Sequence, residues 1–435
     1  MTASRLPTVA SSTLGAIGRF GNQVLQYGFL RLYAERHGLA LETPPWVGGV
    51  LFGCSDPPVT AGRRVLTELQ LGLFEADFEA REPAADADLW GWFQVDTATL
   101  ARQQRRFREL FEPRPEIALR LEAAVRQLRA GGRTPVGLHL RRGDFQSCWG
   151  HPLVDRSYLA TPMAQVREWL ERLWPTLERP VLFVASDEAV DVGVEIGDFE
   201  HETARSLDAD MPSAPFYPDF YLLSRCAVLA VSNSSFSFAA AMLAPASTAC
   251  FRPVPEGRRL QRFAPWASPP QLAMAPGPAL ARADPDRFLA RVGRSIPSPY
   301  SIRARLEVGE HPVTALFGER THRGHLELDA AFEGGTKRSF LRLHWRDEED
   351  AAASFRFECR DRQQFHGDRP AHYAGLGTTA GGRFEGATWS LFLAAEIPGH
   401  PGELFLALTL LAAGPHSFFI QARARGEIRR HPAEA

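Results

Sequence analysis

Lysine is almost absent: of the 49 basic side chains in this 435-residue chain, Lys337 is the one lysine. Nearly every positive charge is therefore a guanidinium, which stays protonated and forms no Schiff base. Lys337 lies in EGGTKRS, between Thr336 and Arg338, so the Gly-Lys-Ser/Thr order of a phosphate-binding P-loop is missing and a hairpin turn is expected. The arginine bias also reads as a mark of GC-rich coding and points to a bacterial source. Cysteine is scarce: Cys54, Cys148, Cys226, Cys250 and Cys359 lie far apart, with no C-x-x-C pair for zinc and no dense disulfide framework. A reducing, cytoplasmic setting is expected. No apolar run reaches the roughly 18–20 residues that span a bilayer, and Leu404 to Ala413 reads as a buried strand. The N-terminus has no charged-then-apolar signal pattern. A formal net charge of −2 argues against a protein built to coat nucleic acid, which needs a strong basic excess.

What remains is an ordinary globular composition, 45% hydrophobic and 23% charged, with length for two or three domains. After a flexible N-terminus over 1–12, short apolar runs alternate with helical periodicity, the pattern of a parallel sheet wrapped by helices. One α/β half is expected over 13–134 and a second over 135–268. In the first, GRFGNQ feeds a helix that Asn22 caps and Gly38 ends, with an apolar arc through Leu25, Phe29 and Leu32. In the second, a strand at Pro135–Leu140 is followed by RRGDF. A helix built on Leu159, Met163, Val166, Leu170 and Leu173 then runs up to Pro175, and a strand at Val181–Ser186 follows. A further strand, Ala227–Val231, runs into SNSSFS and a small-residue helix. Residues 269–300 form a Pro-rich connector with one short helix at DPDRFLARVG. From 301 to 435 the pattern turns to period two, with double-glycine turns at Gly334-Gly335 and Gly381-Gly382, which predicts an antiparallel β-sandwich.

The loops with chemistry follow the carboxyl ends of strands, where open α/β sheets bind ligands. In HLRRGD, Arg141 and Arg142 offer permanent charge and forked donors to a diphosphate, His139 a hydrogen bond to a ribose or base, and Asp144 a partner for arginine or a proton acceptor. In NSSFS, Asn233, Ser234, Ser235, Phe236 and Ser237 bring hydroxyls and backbone N–H groups to a helix N-terminus, an anion site or simply a cap. Asp219 has the carboxylate to accept two N–H bonds from a guanine edge. In GRFGNQ, two glycines including Gly21 let backbone approach a ligand, with Arg19 and Asn22 beside it. Asp86/Asp88, Asp208/Asp210 and Asp284/Asp286 match the D-x-D of metal-binding sugar-nucleotide enzymes. In a chain rich in Ala and Asp such triplets arise by chance, and no metal site is expected. His322 and His325, three apart in a β segment, point to opposite faces. No G-x-S-x-G elbow is present.

In order, these segments resemble the α-1,2-fucosyltransferases of glycosyltransferase family 11. The likeness covers residues 13 to 268. It rests on Gly18–Gln23 with Gln26-Tyr27; on GWFQ at Gly91–Gln94; and on His139, Arg141, Arg142 and Asp144, with His151, Pro152 and Tyr158 downstream. It continues through Ser186-Asp187; Asp219, Tyr221, Leu222, Ser224 and Cys226; and Ser232–Ser237. The GRFGNQ loop is also similar to that of protein O-fucosyltransferases. The resemblance implies a GT-B-like pair of Rossmann-type domains that uses GDP-β-L-fucose without a metal and passes fucose to a glycan acceptor. It implies donor contacts at Arg19, Gly21, His139, Arg141, Arg142, Asp187, Asp219 and Asn233–Ser237. Catalytic parts fall to Arg141 on the leaving phosphate, Asn22 near the bond being made, and Asp144 as base, with Asp187 or Glu188 as alternatives. Peripheral contact with the inner membrane face is compatible with this. The chain departs from the family at Phe238–Ala240, where a Trp-Trp-Gly run is usual. That change bears on the sugar pocket and keeps GDP-mannose or another GDP-sugar open. A competing reading is a catalytically silent glycan-binding protein in which Trp345, Trp389 and Tyr373 of the β module stack on sugar rings.

Overall fold

A computed structural model describes residues 6–74, 78–142, 162–188, 190–254, 259–272, 300–308, 313–317, 320–330, 341–359, 372–394, 396–410 and 418–430. Three sheets organise them. The first is parallel, in the order β2-β1-β4-β3, with β1 Thr8–Ala10, β2 Ala40–Glu42, β3 Arg64–Thr67 and β4 Ala87–Trp90. The chain enters this sheet inside the stretch expected to be flexible. Thr8–Ala10 pairs with both β2 and β4, and its Val9 and Ala10 are fully covered.

Helix α1 (Phe20–His37) has Arg19 as its extended N-cap, with no capping side-chain bond, so it begins before the predicted cap at Asn22. Gly38, at φ 63°, closes it as predicted, in the left-handed conformation that a residue without Cβ adopts at little cost. The predicted single apolar arc is too narrow. Almost every residue from Phe20 to Ala34 is buried, because α1 packs on helices of both halves as well as on its own sheet. Two short helices, α2 (Gly48–Leu51) and α3 (Gln104–Leu110), and the amphipathic α4 (Pro115–Leu128) complete this half.

The second sheet runs β10-β9-β8-β5-β6-β7. Its members are β5 Thr134–Leu140, β6 Pro180–Ser186, β7 His201–Glu202, β8 Val228–Ala230, β9 Ala249–Val254 and β10 Arg259–Arg262. All are parallel except β10. Between the strands lie α5 (Met163–Leu173), α6 (Val192–Glu195), α7 (Tyr217–Leu223) and α8 (Ser235–Leu243). The α5 face predicted from periodicity is buried at Val166 and Leu170 and half-buried at Met163 and Leu173; Leu159 lies outside the described residues. The chain builds outward from β5 through β6 to β7 and then returns to the other side of β5 with β8 and β9. The gap between β5 and β8 is thus a topological switch point.

The C-terminal sheet contains β11 Tyr300–Val308, β12 Val313–Phe317, β13 Arg320–Ala330, β14 Leu341–Asp347, β15 Phe355–Cys359, β16 His372–Ala380, β17 Thr388–Ala394, β18 Glu403–Leu410 and β19 Phe418–Arg430. Each strand from β12 to β19 pairs antiparallel with the next, and β19 pairs back onto β12. The predicted sandwich is therefore a closed barrel. The 13-residue β19 makes closure possible, since one of its edges serves β18 while the other serves β12 and then β11. Trp345 and Trp389 point into the barrel with no exposed surface, so neither stacks on a sugar; the side chain of Tyr373 lies outside the described ones. His322 is buried and His325 exposed, on opposite faces as the alternation requires.

The barrel is docked on the first half. On β17 and β18, Leu391, Leu393, Leu404 and Leu406 fill the barrel, while Phe392, Ala394, Phe405 and Ala407 pack outward against Ile17, Trp90 and Trp92. Trp92 meets the rings of Phe392 and Phe405, each at 5.1 Å. Burial on both faces explains the unbroken apolar run from Leu404 to Leu408. Residues 273–299, with the predicted connector helix and Asp284/Asp286, lie outside the described ones, as does Lys337. Among the described residues no helix is long and apolar enough to cross a membrane.

Candidate active site

The switch point gathers most of the residues singled out by the motifs. His139, near the end of β5, is buried; its Nδ1 lies 2.7 Å from Ser232 Oγ after β8, and its ring stands 5.2 Å from Phe236. Burial and the nearby Arg141 guanidinium push its pKa down to about 3, so it is a neutral imidazole at physiological pH. Arg141 and Arg142, next along the chain, take different parts. Arg141 Nη1 donates to Asp187 Oδ2 at 2.6 Å. The Arg142 guanidinium turns away to a two-pronged pair with Glu195 of α6, Nη1 to Oε1 at 2.9 Å, and its backbone N–H donates to Asp187 Oδ1 at 2.7 Å. Asp187 therefore clamps the loop after β5 from the end of β6, and Arg142 anchors it. Both were expected at the donor; in the structure Asp187 pairs with Arg141 and with the Arg142 N–H, and the Arg142 guanidinium pairs with Glu195.

Across the gap stands α8. Ser234 is its N-cap, with Oγ accepting from the Phe236 N–H at 3.3 Å. Ser235 is buried beside it. Ser237 is fully buried, and its Oγ has no hydrogen-bond partner among the described residues. Asn233 Oδ1 accepts the Leu272 N–H at 2.9 Å, tying down the incoming loop. The N-terminus of α1 meets that of α8 here: a Cβ on Gly21 would overlap the backbone of Ser235 and Phe236, and one on Gly18 would overlap the Asn22 side chain. The close approach at Gly21 is to the backbone of α8, and that at Gly18 is to the side chain of Asn22. Phe20 continues the contact, 4.9 Å from Phe220 and 6.4 Å from Phe236. Asp219 sits in the first turn of α7 next to Phe220, without a hydrogen bond or ion pair among the described residues. Burial alone raises its pKa to about 7.

Arg19 and Asn22 are half-buried at the head of α1. Asn22 Oδ1 accepts from Gln94 Nε2, and Gln26 Nε2 donates to Gly91 O at 3.2 Å, so the GWFQ segment is bound to the GRFGNQ helix. The motifs flagged both segments without indicating that they touch. Asp144, with Cys148, His151, Pro152 and Tyr158, lies outside the described residues. Of the D-x-D triplets, Asp88 is buried and committed to Ser12, Trp90 and His400, while Asp86 turns outward at φ 54°. The departure at Phe238–Ala240 falls inside α8: Phe238 is 1% exposed and stacks on Phe263, and Ala239 and Ala240 are fully buried. At these three positions the departure is accommodated as core packing of α8.

Residues 102–254, from α3 through β9, match the family model of Glycosyl transferase family 11. The chain resembles the family-11 fucosyltransferases. The matched segment holds the loop after β5, Asp219 and the head of α8; the GRFGNQ helix lies before it and the barrel after it. Human galactoside alpha-(1,2)-fucosyltransferase 1 is 28% identical over 274 residues, 58% of this chain and 71% of the relative. Rabbit galactoside alpha-(1,2)-fucosyltransferase 2 is 27% identical over 256 residues, 56% and 70% of the two chains. Among solved structures, fucosyltransferase NodZ from Bradyrhizobium aligns with a TM-score of 0.40 and 16% identity, covering 60% of this chain and 99% of its own.

Proposed function

We propose that the protein is an inverting, metal-independent glycosyltransferase with GT-B-like halves. It moves L-fucose from GDP-β-L-fucose to a glycan hydroxyl, O2 of a terminal galactose being the leading acceptor. The observation that carries this reading is the meeting of His139 with Ser232 and Phe236 at the switch point of the second sheet, with Arg141 two residues on in the loop after β5, inside the segment that matches family 11. The galactoside specificity of the two relatives supports the choice of acceptor.

In this mechanism the acceptor oxygen attacks C1 of fucose while the bond from C1 to the β-phosphate oxygen breaks, and the electron pair leaves with GDP. The hydroxyl proton goes to a carboxylate, Asp144 or Glu188, since both oxygens of Asp187 are engaged by Arg141 and the Arg142 N–H. Arg141 and the N-terminus of α8, from Asn233 to Ser237, receive the charge growing on the β-phosphate, the kind of fixed stabilisation whose loss costs on the order of 10²–10³ in rate. The Asp219 carboxylate accepts the guanine N–H donors, neutral His139 hydrogen-bonds the nucleoside, and Arg19 and Asn22 face the reacting sugar from α1, with Gly21 packed against the head of α8. The test is incubation with GDP-fucose and a β-galactoside, with and without EDTA, followed by NMR of the product. An α-fucosyl product formed regardless of EDTA supports the reading. A β-linked product, or transfer from GDP-mannose alone, overturns it.

A further inference from the structure

The barrel has no counterpart in the matched family segment, and its sugar-stacking tryptophans are buried, which leaves its role open. Its contact with the first half, apolar at Phe392, Ala394, Phe405 and Ala407, also carries buried polar side chains. Gln421 on β19 is 1% exposed, and its Nε2 donates to Glu68 Oε1 at 2.5 Å. Glu68, 1% exposed just beyond β3, uses its other oxygen to accept the Phe93 N–H at 2.7 Å. Glu68 also fills the space that a side chain on Gly91 would need. Gln94, which follows Phe93, donates to Asn22. A second bridge runs alongside: His400 Nε2, on the turn before β18, lies 2.7 Å from Asp88 Oδ2 in β4. Segment 88–94 is thus held from one side by the barrel, and from its other side it holds the head of α1.

We infer that the barrel is a positioning element for the reaction, and that Gln421 acting through Glu68 fixes the GWFQ segment and so places Asn22 against the reacting sugar. The inference rests on the transferase reading only for what Asn22 does; the mechanical link is independent of it. The donor nucleotide sits in the other half, so loosening this link should affect turnover and spare GDP affinity.

The test uses the full chain, with Gln421→Met, which keeps the volume and removes the donor, and Glu68→Gln, which still accepts from Phe93 and meets the Gln421 amide with its own. Three quantities are measured: kcat for fucosyl transfer, the GDP dissociation constant by calorimetry, and amide hydrogen exchange over residues 18–26 and 88–94. In Gln421→Met, kcat should fall by about 10-fold to 10²-fold, the cost of a reacting group misplaced by a fraction of an ångström to one ångström. GDP affinity should stay within about twofold, as for independent sites. Exchange should quicken in both segments, and Glu68→Gln should stay near wild type throughout. Gln421→Asn, with a donor one methylene short, reports the same loss if the methionine variant fails to fold. Unchanged exchange and kcat in Gln421→Met, or a parallel loss of GDP binding, overturns the inference. If the wild type binds GDP and transfers no fucose, the transferase reading fails, and the exchange data alone decide whether the barrel holds the two segments.

Discussion

Gly21 of α1 and Ser235 of α8 are in backbone contact, so the heads of the two helices meet with no room for a side chain between them. Each helix comes from a different half, and this contact sets how closely the halves approach at the switch point. Gly21→Ala gains helix propensity of about 1 kcal/mol. It also forces an overlap with backbone that no rotamer change relieves, at about 1–3 kcal/mol. A net loss in the urea midpoint is expected, together with weaker GDP binding. An unchanged midpoint would contradict the close contact.

The two arginines after β5 should separate in their effects. Arg141→Ala should lower transfer on the order of 10²–10³-fold with the fold intact. Arg142→Ala leaves Glu195 without its partner and frees one side of the loop, so it should lower the unfolding midpoint more than Arg141→Ala does. Paired melts and initial rates measure both. Equal effects on both readouts would remove the distinction between a phosphate-facing arginine and an anchoring one.

The Rossmann-like half was legible because its signals are local. Apolar runs such as Val136–Leu140 end in polar loops at one sheet edge, and Gly38 supplies a left-handed cap. The start of α1 was misread because Asn22 is a better cap by type than Arg19; its side chain is instead engaged by Gln94, 72 residues away. Barrel closure was hidden for a similar reason: alternation shows which residues share a face and says nothing of whether the first and last strands pair. Alternation also could not show that Trp345 and Trp389 face inward. The docking contacts were the least visible. Asp88 and His400 stand 312 residues apart, Glu68 and Gln421 353 apart, and isolated polar residues of this kind look like ordinary surface in a sequence.

Asp219 should make GDP binding depend on pH. Its pKa of about 7 in the ligand-free protein means that it is largely protonated below neutrality, while guanine N–H donors favour the carboxylate. Binding should therefore release a proton near pH 6.5, and affinity should rise with pH until about 7. Calorimetry in two buffers of different ionisation enthalpy measures the release, and the difference from Asp219→Asn separates it from the ionisation of the GDP phosphate. Equal release in both proteins would place guanine elsewhere.

The barrel contact should be strongest in mildly acid solution. Glu68 is raised from 4.5 to about 7 by burial, so the folded state holds its proton more tightly and stability is lost as pH rises from about 4.5 through 7. His400, raised chiefly by its bond to Asp88, acts in the same direction, its contribution falling away above its ordinary 6.5. Asp88 is held below 3.8 by the bonds from His400, Ser12 and Trp90, against the opposing effect of burial, so its contribution disappears only in strong acid. Thermal midpoints should fall from about pH 4.5 through 7 on account of Glu68 and above 6.5 on account of His400, with a shallower slope below pH 7 in Glu68→Gln. A slope unchanged by that substitution would show that Glu68 does not titrate in this range.

The most direct test of the central claim is calorimetric titration of GDP and UDP into the wild type and Arg141→Ala. The account predicts saturable one-to-one binding of GDP, none of UDP at the same concentration, and a marked loss of GDP affinity in the variant. Wild-type protein that ignores GDP, or a folded Arg141→Ala that binds it equally well, would contradict the assignment of the switch point as the donor site.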